Sequence, residues 1–433
     1  MILQMNSYIK NLPTPIAIVG LGKSGEAALE LLLLAGVDRT NILTFDANQT
    51  NADYTQAADL LAKHPKTIVL SPGVPLALDW IQSLINNGTF LCSEIDLACS
   101  FLQQEKIIGI TGSIGKSTTT DSLGFAIRVD DPHCFVGGNL GTPFSQYAID
   151  LIKNQRSRAK WIVLELSSYQ LENCVGLKLT AAAITYLSPN HLERYNDLSH
   201  YYLTKFRIFD MTQGKVVLNE ASQELRAFVG LQNLNQSKVQ WSNPSARAEF
   251  FKSAKLIGSH NKQNLSVALS LLEIMGASNE AKQRLCEYSG LPHRMENLGT
   301  HQGVLFINDS KATAMDSVVT AARSCLETNP NSVWLLLGGK DKNLPWEELS
   351  QLNSAKIKPV FFGACRERAQ QGSGLAGESF AKLGDALQYV FSRCQKNDIV
   401  LLSPGGTSLD EFKNFEERGN FFKAKLKDFL TNS

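Results

Sequence analysis

The chain has almost no surplus charge. It carries 42 Lys and Arg against 41 Asp and Glu, a formal net charge of +1 over 433 residues. Binding nucleic acid through bulk charge needs many surplus cations to displace counterions, so this balance excludes a binder of that type. Metal-type cysteine patterns are missing as well. The eight cysteines form no CxxC pair, and the closest two, Cys92 and Cys99, lie in apolar segments. Buried reduced thiols in a cytosolic protein are the expectation. The segment MILQMNSYIKNLP lacks a charged lead followed by a long apolar run, so no signal peptide is expected. The longest apolar stretch, around Leu29 to Val37, is far too short to cross a bilayer. Solenoid-type repeats and low-complexity tracts are absent. The expected location is the cytoplasm, with neither nucleic acid nor membrane as partner.

What is present is a soluble globular composition, 43% apolar, in a chain too long for one core. At about 150 residues per domain, three domains are expected. Short apolar runs alternating with helical stretches fall into three β/α blocks, which implies α/β domains with parallel sheets covered on both faces. The first block has strands at Ile16 to Gly20, Ile42 to Asp46 and Thr67 to Ser71. The second has Ile107 to Thr111, Trp161 to Ser167, Ala181 to Leu187 and Val216 to Asn219. The third has Val304 to Asn308, Val333 to Leu337, Pro359 to Phe362 and Ile399 to Ser403, then a charged amphipathic helix from about Leu409. The boundaries place the domains at 1–97, 98–291 and 292–433.

Gly20-Leu-Gly-Lys-Ser-Gly25 matches GxGxxG between a strand and a helix, with Asp46 ending the next strand as a dinucleotide site requires. Alone it suggests NAD and a dehydrogenase, or merely close packing of a helix on its strand. Thr111-Gly-Ser-Ile-Gly-Lys-Ser-Thr118 contains GxxGKST between a strand and a helix. Amides of such a loop point at phosphate oxygens, Lys116 neutralises the β- and γ-phosphates, and Ser117 holds Mg²⁺. The first glycine of the usual pattern is Ile110 here. Glu165 ends a buried apolar run, where a carboxylate needs compensation; Mg²⁺ is the obvious partner, and an edge-strand Glu facing water is the alternative. His191 follows a strand at the carboxyl side of the sheet, where ligands bind, though by itself a histidine there reads as structural. Lys205 is a lone cation on an aromatic-rich helix, and by itself reads as a snorkelling lysine. In the third block, Asn308 to Thr313, Gly338 to Lys342 and Ser403 to Ser408 follow three strands with small, charged and hydroxyl residues. They form a polar rim, with chance turn composition as the alternative, and together with the second block they suggest a site between domains.

Taken together, ITGSIGKST, VLELSSYQLE, SPNHLERY, KFRIF, GLPHRMENL, INDSKAT, LLLGGKDK and SLDEFKNFEERG resemble the Mur ligases along nearly the whole chain. The last three favour the member that adds D-glutamate. The Asp-Asn-Pro-Arg motif of the diaminopimelate- or lysine-adding member is absent. The resemblance implies a Rossmann-like N-terminal domain, a central P-loop ATPase domain and a Rossmann-like C-terminal domain. It implies ATP-dependent joining of D-glutamate to UDP-N-acetylmuramoyl-L-alanine by a monomer, in peptidoglycan precursor synthesis.

Carried over by position, Gly112, Ser113, Ile114, Gly115, Lys116, Ser117 and Thr118 bind ATP, with Asn261, Asn264, Arg294 and Asp309 as further nucleotide contacts. Ser117 and Glu165 match the ligands of one Mg²⁺; His191 and a carbamylated Lys205 match those of a second. Lys116, His191 and Lys205 are the catalytic candidates. Lys23, Ser24, Asp46, Asn139, Ser167 and Gln170 are the candidates for the UDP-substrate. Lys311, Thr313, Lys342, Ser408 and Phe415 match positions around D-glutamate. Three positions depart from the family pattern. Ile114 stands where Asn is usual, Asn190 where Asp is frequent, and Ala47-Asn48 where Thr-Arg fits best; Lys23 could supply a basic group to the diphosphate in place of that arginine. Another superfamily member, such as the L-alanine-adding ligase or a folylpolyglutamate synthase, and a nucleotide-binding scaffold weakened at Ile114 and Asn190 are the competing readings.

Overall fold

The structure, a computed structural model, describes residues 7–189 and 194–432. Three sheets carry the fold. The first contains β1 (Ile16–Val19), β2 (Ile42–Phe45), β3 (Thr67–Leu70) and β4 (Phe90–Cys92), all parallel, in the order β2-β1-β3-β4. The second contains β5 (Lys106–Thr111), β6 (Phe135–Gly138), β7 (Trp161–Glu165), β8 (Ala181–Ile184), β9 (Val216–Asn219) and β10 (Val239–Ser242). Its order is β10-β9-β8-β5-β7-β6, again wholly parallel. The third contains β11 (Glu296–His301), β12 (Val304–Asn308), β13 (Val333–Gly338), β14 (Ile357–Phe362), β15 (Glu378–Phe380) and β16 (Ile399–Gly405). Its order is β11-β12-β16-β13-β14-β15, with β11 alone antiparallel.

Several central strands are buried at every position, as in Ile16–Val19, Trp161–Glu165 and Val333–Gly338, because helices cover both faces of a parallel sheet. On the first sheet, Ile16, Ile18, Leu31 and Ile42 pack on one side, while Ala17, Val19, Ile68 and Leu70 pack on the other. The helix Ser145–Ile152 belongs to two cores: Ala148 and Ile149 pack toward the first sheet, Phe144 and Tyr147 toward the second. The chain divides into two compact units. One runs up to Arg247 and includes Gln263–Leu285; the other is Ala248–Lys262 with Cys286 onward. The first unit holds the first two sheets, and the second unit holds the third.

Most strand limits shift by one or two residues; β14 starts at Ile357 and β16 runs on to Gly405. The Trp161 run stops at Glu165, because Ser167 caps the helix Ser168–Asn173, its hydroxyl accepting from Gln170 N. The Ala181 run stops at Ile184. The terminal helix begins at Phe415, not near Leu409: Asn414 Oδ1 accepts from Glu417 N at 2.8 Å and fixes the start there.

Candidate functional site

The phosphate loop connects β5 to the helix Lys116–Ile127. Gly115 occupies the cap of that helix in a left-handed conformation, φ 86°. A Cβ at Gly115 would overlap the Asn264 side-chain oxygen, so both the backbone and the neighbour demand glycine. Ser113 is buried and tied in: its hydroxyl donates to Ser188 O (2.9 Å) and accepts from Ser188 N and Tyr201 Oη, each at 3.1 Å. Ile114 projects outward, 61% exposed. Lys116 is half-buried, and its Nζ donates to Gly112 O (2.8 Å) and Ser113 O (3.0 Å). Ser117 and Thr118 are half-buried in the first turn of the helix. Four helical N–H groups lack intrahelical partners at such an end, which suits an anion.

Glu165 ends β7, hydrogen-bonded between β5 and β6, and is 2% exposed. That excludes a water-facing edge Glu. Asn139 serves this carboxylate: its Nδ2 donates to Oε1 at 2.6 Å, and its backbone N donates to Glu165 O at 2.9 Å. Oε2 is buried without a hydrogen-bond partner among the described residues. A carboxylate oxygen in that condition is costly unless a cation meets it. Mg²⁺ therefore fits, since it uses one or two carboxylates together with phosphate oxygens and water. Among the described residues no three His, Cys, Asp or Glu side chains converge to hold a metal by themselves.

Lys205 does not snorkel. It is 1% exposed, with Nζ 3.0 Å from Gly112 O and 4.5 Å from the Tyr201 ring centroid. Two lysine ammonium groups thus share one carbonyl, that of Gly112. Burial, followed by the nearby Lys116 charge, pushes the Lys205 ammonium well below the usual lysine range; Glu165 pulls the other way. Asn190 and His191 lie outside the described residues.

Next to this cluster lies a cavity of about 660 Å³. Gly20, Gly22, Lys23, Ser24, Asp46 and Asn48 line one wall, and Asn139 and Gln170 lie on another. Asp46 Oδ2 accepts from Leu21 N (2.8 Å) and Oδ1 from Asn48 N (2.9 Å), which holds its carboxyl below the usual range. Gln170 Oε1 is occupied by Ser167 N (3.0 Å) and Ser167 Oγ (3.1 Å), a capping box at the helix Ser168–Asn173. The packing reading of GxGxxG holds for one of its glycines. Gly20 and Gly22 face the cavity, whereas Gly25 lets its helix pack on the strand end: a Cβ there would overlap Gly20 O.

Asn264 belongs to the first unit, beside Gly115. The second unit holds the remaining candidates. Asn261 is buried, its Nδ2 donating to Ile257 O at 2.8 Å. Asp309 is buried, accepts from Ser403 Oγ (2.8 Å) and Met295 N (3.0 Å), and is pushed up to about 7 by burial. Arg294, Lys311, Thr313 and Lys342 are exposed. Lys311 Nζ lies 4.9 Å from the Phe415 ring centroid, and Ser408 is buried. Sequence reading passed over Arg418, which is fully buried. Its guanidinium donates to Ser310 Oγ (3.0 Å), Ser310 O (2.8 Å) and Gly406 O (3.1 Å), fixing the segments that carry Lys311 and Ser408. The only signal for it was its position within FEERG.

A family model described as Mur ligase middle domain matches residues 110–275, and one described as Mur ligase, glutamate ligase domain, matches residues 293–406. The UDP-N-acetylmuramoylalanine–D-glutamate ligase of Myxococcus xanthus is 34% identical, over 95% of this chain and 98% of that one. The enzyme of the same name from Caldicellulosiruptor bescii is 30% identical over 96% and 98%. Among solved structures, the MurF ligase of Thermotoga maritima in complex with ADP has a TM-score of 0.58 at 15% identity, covering 97% of both chains. At that identity the likeness concerns the fold alone.

Proposed function

The chain belongs to the Mur ligase family, and from that premise we propose how its residues divide the work of the reaction. It is an ATP-dependent ligase that adds D-glutamate to UDP-N-acetylmuramoyl-L-alanine, a step of peptidoglycan precursor synthesis. The observation that carries this reading is the 34% identity to a D-glutamate ligase across 98% of that enzyme's length.

The alanine carboxylate oxygen attacks the γ-phosphorus, and ADP leaves. The acyl phosphate is then attacked at its carbonyl carbon by the D-glutamate amine, which loses a proton as phosphate departs. The first step brings two anions together, so charge neutralisation and alignment dominate. Lys116, with the amides from Gly112 to Thr118, takes the β- and γ-phosphates; this requires its Nζ to leave the Gly112 and Ser113 carbonyls. Ser117 and Glu165 would hold one Mg²⁺, and the unpartnered Glu165 Oε2 supports that role. His191 and a carbamylated Lys205 would hold a second. A lysine ammonium beside Lys116 repels a cation, whereas the carbamate is an anion and can bind one. Bound there, Mg²⁺ would screen the negative charge of the meeting groups.

Lys23, Ser24, Asp46, Asn139, Ser167 and Gln170 form the proposed UDP-substrate set, and the cavity beside Glu165, lined by all of them but Ser167, supports it. Asn261, Asn264, Arg294 and Asp309 are the proposed nucleotide contacts. Lys311, Thr313, Lys342, Ser408 and Phe415 are those for D-glutamate. We place the domain limits at 1–97, 98–291 and 292–433, and take the protein as a cytoplasmic monomer. No helix among the described residues is long and apolar enough to cross a membrane. Phosphate release with UDP-N-acetylmuramoyl-L-alanine tests the reaction. Turnover is expected with D-glutamate and not with L-glutamate or L-alanine; preference for either L-amino acid overturns it.

A further inference from the structure

The cavity beside Glu165 has two walls built from different sheets. One is the turn Ser71-Pro72-Gly73-Val74, which follows β3 in the first sheet and lines the cavity at all four residues. The turn is closed by Val74 N donating to Ser71 O at 3.0 Å, and anchored by Ser71 Oγ donating to Gly20 O at 2.7 Å. The opposite wall includes Gln170 on the helix Ser168–Asn173, which follows β7 and Glu165 in the second sheet. A single side chain grips both. Arg194 Nη1 donates to Pro72 O (2.9 Å) and Nη2 to Val74 O (3.2 Å), so its fork straddles Gly73. The same Nη2 donates to Glu172 Oε2 at 2.8 Å, and the guanidinium carbon lies 4.0 Å from the Tyr169 ring centroid. Tyr169 and Glu172 flank Gln170 on that helix. The Arg194 side chain is only 9% exposed.

We propose that Arg194 is a positioning residue for the UDP-substrate, clamping the Pro72–Val74 turn to the Gln170 helix so that the cavity keeps a fixed span from Glu165. This rests on the cavity being the UDP-substrate site. A planar guanidinium suits the task because it can offer two diverging N–H bonds in one plane while its face stacks on an aromatic ring. An ammonium is a point donor and cannot hold both carbonyls and the tyrosine face together. Arg194 makes no contact with the phosphate loop among the described residues, so nucleotide binding stands apart from it. Substrate held by walls that drift is placed poorly for attack even when it binds.

The test is steady-state kinetics and calorimetric binding on the full chain, with wild type, Arg194→Ala and Arg194→Lys. In Arg194→Ala, KM for UDP-N-acetylmuramoyl-L-alanine should rise about 10-fold or more and kcat should fall, while KM for ATP stays within about 2-fold. Free guanidinium at tens of millimolar should restore part of the loss in Arg194→Ala. Arg194→Lys keeps the charge and the fold, and should still raise the UDP-substrate KM several-fold. If Arg194→Lys binds the UDP-substrate like wild type, or if both KM values rise together without guanidinium rescue in Arg194→Ala, the clamp is overturned. Failure of the wild-type protein to bind the UDP-substrate would instead remove the functional reading beneath it.

Discussion

Two lysines meet at one oxygen in this site, and they make opposite demands on a mutagenesis experiment. Lys116 is half-buried, and its ammonium donates to two carbonyls of its own loop. Lys116→Ala should leave stability within about 1 kcal/mol of wild type, measured by urea unfolding, while ATP turnover falls below detection. Retained turnover would detach the loop from phosphoryl transfer. Lys205 is different because burial denies its ammonium water. Its removal deletes the group we take as a carbamate, so Lys205→Ala should be inactive and partly rescued by acetate, read as phosphate release. No rescue across a titration of short carboxylates would argue against the modification. At this scale the sequence was informative about residue identity and poor about environment. GKST is visible as letters. The snorkelling alternative for Lys205 and the water-facing alternative for Glu165 fell only when neighbours distant in the chain enclosed them. Arg418 and Arg194 were passed over for the same reason: a buried arginine reads like a surface one until its carbonyl partners, far along the chain, are known.

Elements divide by whether they sit inside a sheet or at its rim. Every central strand was legible at least in part, because burial on both faces favours an apolar run; the exposed Lys106 and Lys358 are where the reading of β5 and β14 fell short. The strands that were missed, β4, β6, β10, β11 and β15, are all at sheet edges. Their residues are partly exposed, as in Glu378-Ser-Phe380 and Glu296-Asn-Leu-Gly-Thr-His301, so the run that marks a strand is broken. Junctions between elements depend on side chains whose role is equally hidden. Asp96 is one. Inside the helix Glu94–Cys99 it completes a capping box with Ser93, and its Oδ1 also accepts from Gly176 N (2.6 Å) and Val175 N (3.1 Å) just past the Gln170 helix. Asp96 is 4% exposed, so losing it strands several buried donors at once. Asp96→Ala should destabilise by about 3 kcal/mol, and Asp96→Asn by less because an amide oxygen still accepts. Thermal unfolding orders the two variants, and equal midpoints for Asp96→Ala and wild type would defeat the argument.

Over the whole molecule, stability depends on pH through carboxyls that the fold has dried. Glu94 is buried and accepts from Ser145 N at the start of the helix shared by the first two cores. Burial raises its pKa from the ordinary 4.5 to about 7, against the pull of that hydrogen bond. A raised carboxyl pKa means the folded state keeps a proton that the unfolded chain gives up. The stability this contributes is complete below about pH 4.5 and is lost as pH climbs toward 7, a change of about 3 kcal/mol at most. Asp309 shifts in the same direction, to about 7, in the second unit. Both units should therefore lose stability between about pH 4 and pH 7 from these groups. Glu94→Gln keeps an acceptor for Ser145 N and cannot ionise. Relative to wild type it should be near neutral at pH 5 and stabilising at pH 8. Chains with more than one compact unit need not unfold in a single step. If calorimetry resolves two transitions, the substitution should move only the one belonging to the first unit, leaving the Asp309-bearing unit with its full pH dependence. A Glu94→Gln protein whose stability difference from wild type is the same at pH 5 and pH 8 would show that Glu94 does not titrate differently on folding.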